Sequence, residues 1–257
     1  MIHFIGAGPG APDLITVRGA ELVARCPVVL YAGSLVPRAV VARARPDARV
    51  VDSAGLTLDE IVALLAEAHA AGLDVARVHT GDPSLFGSLA EQLRRLDALA
   101  IPYQVVPGVS SFTAAAAALR RELTVPGISQ AVVVARAAGR TPVPAGQELA
   151  ALAAHRATLA LFLSAGAVEE VCAALRPVYG DDCPAAVVHR ASWPDERIFR
   201  GTLATIAAQV TAAGVESTAM ILVGRALDPG DFPDSRLYAA DFAHGFRPAR
   251  PAEGGAA

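Results

Sequence analysis

Gly6, Gly8 and Ala11 follow the apolar run Ile2–Ile5 at the spacing of a dinucleotide fingerprint. That fingerprint needs a strand, a tight glycine turn and a helix whose first amides meet a pyrophosphate. Pro9 and Pro12 interrupt the loop, and each removes an N–H donor that would hold a phosphate. The next strand-like run, Val28–Tyr31, passes into Ala32-Gly33 with no acidic residue for a ribose hydroxyl. Such a loop suits close backbone approach to an uncharged or zwitterionic ligand. A second segment, Thr80-Gly-Asp-Pro-Ser-Leu-Phe-Gly87, combines a flexible Gly81, the carboxylate of Asp82 and a rigid Pro83. It reads either as the wall of a backbone-lined pocket carrying one charge, or as a helix cap in which Asp82 or Ser84 starts a helix over Leu85–Leu99. No Ser/His/Asp or Cys/His arrangement for nucleophilic catalysis stands out.

These loops need a frame to bring them together. Short β-branched runs alternate with longer helical stretches through the first half, the pattern of α/β units with a largely parallel sheet. Strands are expected at Ile2–Ile5, Val28–Tyr31, Arg49–Asp52, Asp74–His79 and Tyr103–Val106, and helices at Leu14–Ala24, Leu58–Ala71 and Leu85–Leu99. Loops Gly6–Gly10, Tyr31–Leu35, Thr80–Gly87 and Pro107–Ser111 then all follow strands, and ligands of open α/β sheets bind outside those carboxyl ends. Four loops thus reach one crevice. An alanine-rich helix to Leu119 follows a junction near Phe112, dividing the chain into α/β domains at 1–112 and 113–246. The second half repeats the alternation, with strands Ala131–Ala135, Thr158–Phe162, Ala185–His189 and Ala219–Val223, and helices Val168–Arg176 and Leu203–Ala213. Thr202 is placed to cap the last of these helices. A Pro-, Gly- and Ala-rich tail, 247–257, reads as disordered.

With 257 residues the chain can bury the cores of two modest domains. Its net charge of -3 creates no global field for nucleic acid or an anionic membrane, so anion recognition has to be local. All 22 basic residues are Arg and Asn is absent, a pattern that codon bias explains. Cys26, Cys172 and Cys183 are far apart, which indicates no zinc site and no disulfide framework; the expectation is a reducing, cytoplasmic setting. No uninterrupted apolar run reaches the length of a membrane span, and no basic segment precedes the first strand pattern, so neither a span nor a signal peptide is expected.

Six segments together resemble the tetrapyrrole methylase family: Gly6-Ala-Gly-Pro-Gly10, Tyr31-Ala-Gly-Ser-Leu35, His79–Gly87, Val106-Pro-Gly-Val-Ser-Ser111, Gly139-Arg-Thr-Pro-Val-Pro144 and His189-Arg-Ala-Ser-Trp-Pro-Asp-Glu196. The second, fifth and sixth are similar to the narrower branch that methylates C11 of the corrin precursor precorrin-4, with or without cobalt, in cobalamin biosynthesis. The resemblance implies two α/β lobes with S-adenosylmethionine in the cleft between them, a tetrapyrrole substrate and a homodimer. By matching motif it places Pro9, Gly81, Asp82, Leu85, Ser110 and Ser111 at the cofactor, joined by Leu163, Ala191 and Ala219 from the second lobe. Ser110-Ser111 and Arg190-Ala191 depart from the Thr-Ala and Asn-Gly pairs of the uroporphyrinogen methylases.

A corrin precursor carries many carboxylates, which guanidinium forks bind bidentately. Arg120, Arg121, Arg136, Arg140, Arg190 and Arg197 lie in or beside the family-like loops and are the candidate substrate clamps. His79 and Tyr31 are candidates for a base that takes a pyrrole proton, and both read equally as hydrogen-bonded core residues. Trp193 either stacks on the macrocycle or packs beneath its own loop. Alternative functions are another ring-position methylase, a diphthine synthase, a lapsed methylase, or, from a different class, a nucleotide-binding regulator.

Overall fold

The first strand, β1 (Ile2–Gly6), is buried along its whole length because strands pack on both of its edges and helices on both of its faces. The computed structural model describes residues 1–250. After β1 come α1 (Val17–Arg25), β2 (Val28–Tyr31), α2 (Arg38–Val41), β3 (Arg49–Asp52), α3 (Leu58–Ala70), β4 (Val75–His79), α4 (Leu89–Ala98) and β5 (Tyr103–Val106). Their strands form one parallel sheet in the order β3-β2-β4-β1-β5. One face carries Ile5, Val29 and Val78 against Leu22 and Val23 of α1; the other carries Phe4 and Leu30 against Ile61 and Leu65 of α3 and Leu96 of α4.

The second sheet is built differently. It comprises β6 (Val132–Arg136), β7 (Thr158–Phe162), β8 (Pro184–His189), β9 (Arg197–Thr202) and β10 (Ala219–Val223), in the order β6-β7-β10-β8-β9. Only β6 and β7 run parallel, and β8–β9 is an antiparallel hairpin. Helices α7 (Val168–Tyr179) and α8 (Ile206–Ala212) cover one face. The alanine face of α5 (Ser111–Leu119) lies against Ala160, Ala186 and Leu222 on the other. A short α6 (Leu149–Ala153) packs beside α7.

Several boundaries correct the sequence expectation. α1 starts at Val17, after a 3-10 turn at Pro12–Leu14, because the Thr16 hydroxyl accepts the Gly19 N–H and fixes the first turn there. α4 starts at Leu89, four residues late: Phe86 and Ser88 take left-handed backbone, φ +52° and +48°, which a helix cannot continue through. Neither Asp82 nor Ser84 caps that helix. α8 starts at Ile206, so Thr202 is not its cap; Thr202 ends β9, and its N–H donates to the Thr205 hydroxyl. The strand β9 and the helices α2 and α6 are not expected from sequence. Of the tail expected to be disordered, Arg247 instead donates to the Leu237 and Ala239 carbonyls and the Arg250 N–H to the Ala240 carbonyl, while 251–257 lie outside the described residues.

Candidate functional site

Three glycines from three strand ends pack backbone to backbone at the carboxyl edge of the parallel sheet. A Cβ on Gly6 would collide with the Gly108 backbone and the Gly81 carbonyl, and one on Gly108 would strike Gly81 and Gly6 in turn. The loops after β1, β4 and β5 can therefore converge only because Gly6 and Gly108 lack side chains, while Gly81 has room for a Cβ and serves instead through its left-handed backbone, φ +60°. Within the first loop the Ala7 N–H donates to the His79 carbonyl at 2.7 Å, and Gly8 and Gly81 exchange backbone hydrogen bonds at 3.2 and 2.8 Å. The Ala11 N–H donates to the Ser192 hydroxyl at 3.0 Å. With these amides engaged inside the protein, and Pro9 and Pro12 lacking theirs, the glycine loop has no cradle to offer a pyrophosphate.

Asp82 holds the third loop to the fourth. Its carboxylate accepts the Ser84 N–H at 2.8 Å, the Ser84 hydroxyl, and the Gly108 N–H at 2.9 Å. Burial alone would raise its pKa, but the Ser84 hydroxyl and the Gly108 and Ser84 amides more than offset that and hold the carboxyl below its usual range. The site keeps a fixed negative charge at neutral pH. Two residues beyond Gly108, the N-terminal end of α5 begins at Ser110, whose side chain makes no cap to the helix. That end carries unpaired first-turn amides and the positive pole of the helix.

These features open on one cavity of about 280 Å³ between the two sheets, near the lower limit for small-molecule sites. All nine positions that the family resemblance implies for the cofactor line it: Pro9 from the first loop, Gly81, Asp82 and Leu85 from the third, Ser110 and Ser111 from the fourth. Leu163, Ala191 and Ala219 line it from the second sheet. Phe86 also lines it, and its ring packs 5.0 Å from Phe162 of β7, closing an apolar contact across the sheets. Glu216, Ser217 and Thr218 line it too, ahead of β10, and sequence reasoning missed them; an ordinary polar turn carried no motif to mark them.

Among the six candidate arginines, the cavity wall includes Arg190, whose guanidinium is paired with Asp195 and lies 5.3 Å over the Trp193 ring. The others sit elsewhere. Arg120 occupies the left-handed position that ends α5, and Arg121 donates to the Leu227 carbonyl. Arg136 braces its own loop through the Ala137, Thr141 and Pro142 carbonyls. Arg140 is exposed on that loop, and Arg197 covers Phe199 on β9.

The two candidate bases lie in the core of the first sheet. Tyr31 is buried with Ala7, Val36 and Val78. His79 packs 5.8 Å from Phe4, its Nε2 buried without a hydrogen-bond partner. Burial first, and the nearby Arg77 charge second, push its pKa down to about 3 against an opposing hydrogen bond with the Gly87 backbone. Neither residue lines the cavity. Among the described residues no cluster of three or more His, Cys, Asp or Glu side chains could hold a metal ion, and no helix is long and apolar enough to cross a membrane.

This architecture has counterparts of known identity. The family described as Tetrapyrrole (Corrin/Porphyrin) Methylases matches residues 1–207. A Rhodococcus erythropolis protein named precorrin-4 C(11)-methyltransferase is 57% identical over 240 residues, spanning 93% of this chain and 96% of that protein. The X-ray structure of a cobalamin biosynthetic enzyme, cobalt precorrin-4 methyltransferase, matches with a TM-score of 0.86 at 44% identity, over 89% of this chain and 96% of that one. A uroporphyrin-III C-methyltransferase from Thermus thermophilus, solved with S-adenosyl homocysteine, matches with a TM-score of 0.73 at 29% identity, over 89% of this chain and 99% of that one. On sequence and fold alike, this chain is a methyltransferase of the tetrapyrrole methylase family.

Proposed function

We propose that this chain transfers the methyl group of S-adenosylmethionine to C11 of precorrin-4, giving precorrin-5, in cobalamin biosynthesis. The observation that carries the reading is that one cavity is lined from both sheets by all nine positions that the family resemblance assigns to the cofactor. Its chemistry fits the amino-acid end of the cofactor: the Asp82 carboxylate suits an ammonium, and the N-terminal end of α5 suits a carboxylate. Identity of 57% to the Rhodococcus protein against 44% to the cobalt-precorrin-4 enzyme favours the metal-free substrate.

When bound, S-adenosylmethionine supplies a methyl group on a positively charged sulfur, and that charge disappears on transfer. Phe86, Phe162, Leu163 and Trp193 give the cavity apolar walls that exclude water. The accepting carbon is made electron-rich by the macrocycle's own nitrogens, so alignment rather than a nucleophilic side chain is the protein's contribution. Arg190, on the cavity wall with its cation already oriented by Asp195, is the first candidate to meet a substrate carboxylate. A cytoplasmic setting accords with three buried free cysteines, and a homodimer with the family resemblance.

The test is transfer of a carbon-13 methyl from labelled S-adenosylmethionine to precorrin-4 and, in parallel, to cobalt-precorrin-4, with NMR locating the new carbon. Label at C11 of precorrin-4 is the expected result. Label at another ring position moves the chain to a different methylase of the family, and cofactor binding without transfer marks a lapsed enzyme.

A further inference from the structure

The hairpin loop between β8 and β9 reaches across to the glycine loop of the other sheet. The Trp193 Nε1–H donates to the Pro9 carbonyl at 3.0 Å, and the Ser192 hydroxyl accepts from Ala11. Between these bonds lies Gly10, where any Cβ would run into the indole ring. Sequence positions some 180 residues apart are thus joined by two hydrogen bonds and one close contact, all at the cavity edge that Pro9 and Trp193 share.

The loop is also braced to present that ring. Arg190 and Ser192 both hold left-handed backbone, φ +52° and +69°, a conformation that costs free energy in residues with a Cβ. The Ser192 N–H donates to the Glu196 carboxylate at 2.7 Å and the Trp193 N–H to the Arg190 carbonyl at 2.9 Å. Arg190 stacks over the indole while Asp195 pins its guanidinium. A hairpin needs none of this to close, so the bracing points to a required orientation of the ring.

We propose that Trp193 is a positioning residue for the cofactor: it locks the Pro9–Ala11 turn to the Arg190–Glu196 loop and so sets the width of the cavity between the two sheets. The proposal rests on the methyltransferase reading above. It assigns Gly10 a purpose that the glycine spacing alone does not, namely room for the indole.

Trp193 is the only tryptophan of the chain, so its fluorescence reports on this lock directly. S-adenosylhomocysteine is titrated into the full chain, followed by Trp193 emission and independently by calorimetry. The wild type should show a saturable emission change whose midpoint matches the calorimetric one. Trp193→Phe keeps the bulk and loses the hydrogen bond, and should weaken affinity about fivefold, the size of one neutral bond. It should raise the KM for S-adenosylmethionine while leaving kcat in place. Gly10→Ala should weaken binding in the wild type but add nothing on a Trp193→Ala background, the coupling expected of residues in contact. Unchanged affinity in Trp193→Phe overturns the proposal, as does a Gly10→Ala effect of equal size in both backgrounds. A wild type that binds no S-adenosylhomocysteine instead overturns the methyltransferase reading, and this proposal with it.

Discussion

The Asp82 carboxylate accepts the Gly108 N–H at 2.9 Å, so the only acidic side chain of the third loop also fixes the start of the fourth. Under the proposed function, structure and recognition would coincide in this one group. Its pKa lies below the usual carboxylate range, since the hydrogen bonds from Ser84 and Gly108 outweigh the burial that opposes them.

Replacing Asp82 should therefore have two separable effects. Asp82→Ala leaves the Gly108 and Ser84 amides without their acceptor, which should cost about 1 to 3 kcal/mol of stability. S-adenosylhomocysteine affinity should fall by more than tenfold, because the counter-charge for the ammonium goes too. Calorimetry at a temperature where the variant is fully folded separates the two. Unchanged affinity there would confine Asp82 to holding the loops.

The arginines divide by what they already touch. Arg190→Ala removes a cation on the cavity wall and should raise the KM for the tetrapyrrole about tenfold or more; because Arg190 also stacks on Trp193, S-adenosylhomocysteine affinity should fall as well, but by no more than the roughly fivefold expected of Trp193→Phe. Arg136→Ala removes donors to three carbonyls of its own loop and should lower stability while leaving the tetrapyrrole KM in place. Steady-state kinetics with each substrate varied in turn, alongside urea denaturation, reads both. The reverse pattern would transfer the clamp from Arg190 to the loop of Arg136.

The inner strands β1, β2 and β4 of the parallel sheet were legible from sequence because they are buried on both faces and read as apolar, β-branched-rich runs; the edge strands β3 and β5 are largely exposed, and the valine pairs Val50-Val51 and Val105-Val106 marked them instead. β9 was not, since Arg197-Ile-Phe-Arg-Gly-Thr202 lies at a sheet edge, half exposed, without the alternation that marks a strand. The late start of α4 was equally hidden: Phe86 and Ser88 adopt left-handed backbone that neither residue type signals. The site followed the same rule. Loops that follow legible strands could be brought to one crevice by topology, whereas the Trp193 to Pro9 bond depends on the width between two sheets, which no local pattern encodes.

His79 gives a prediction in pH. Its unfolded pKa is near the ordinary 6.5 and its folded pKa about 3, lowered by burial and by the Arg77 charge. Between those values the unfolded chain binds a proton that the native state refuses, so this term stabilises the native state fully above about pH 6.5 and is lost as pH falls toward 3. The slope approaches about 1.4 kcal/mol per pH unit. His79→Leu abolishes the term, so between pH 7 and pH 5 the variant should lose about 2 kcal/mol less stability than the wild type by urea denaturation. Equal losses would mean that the imidazole takes up its proton in the folded protein. The same low proton affinity bears on catalysis. An imidazole that stays neutral down to acid pH, inside the sheet core and off the cavity wall, is poorly suited to collect a proton from the macrocycle. Wild type and His79→Leu should accordingly share one pH profile of kcat wherever both remain folded.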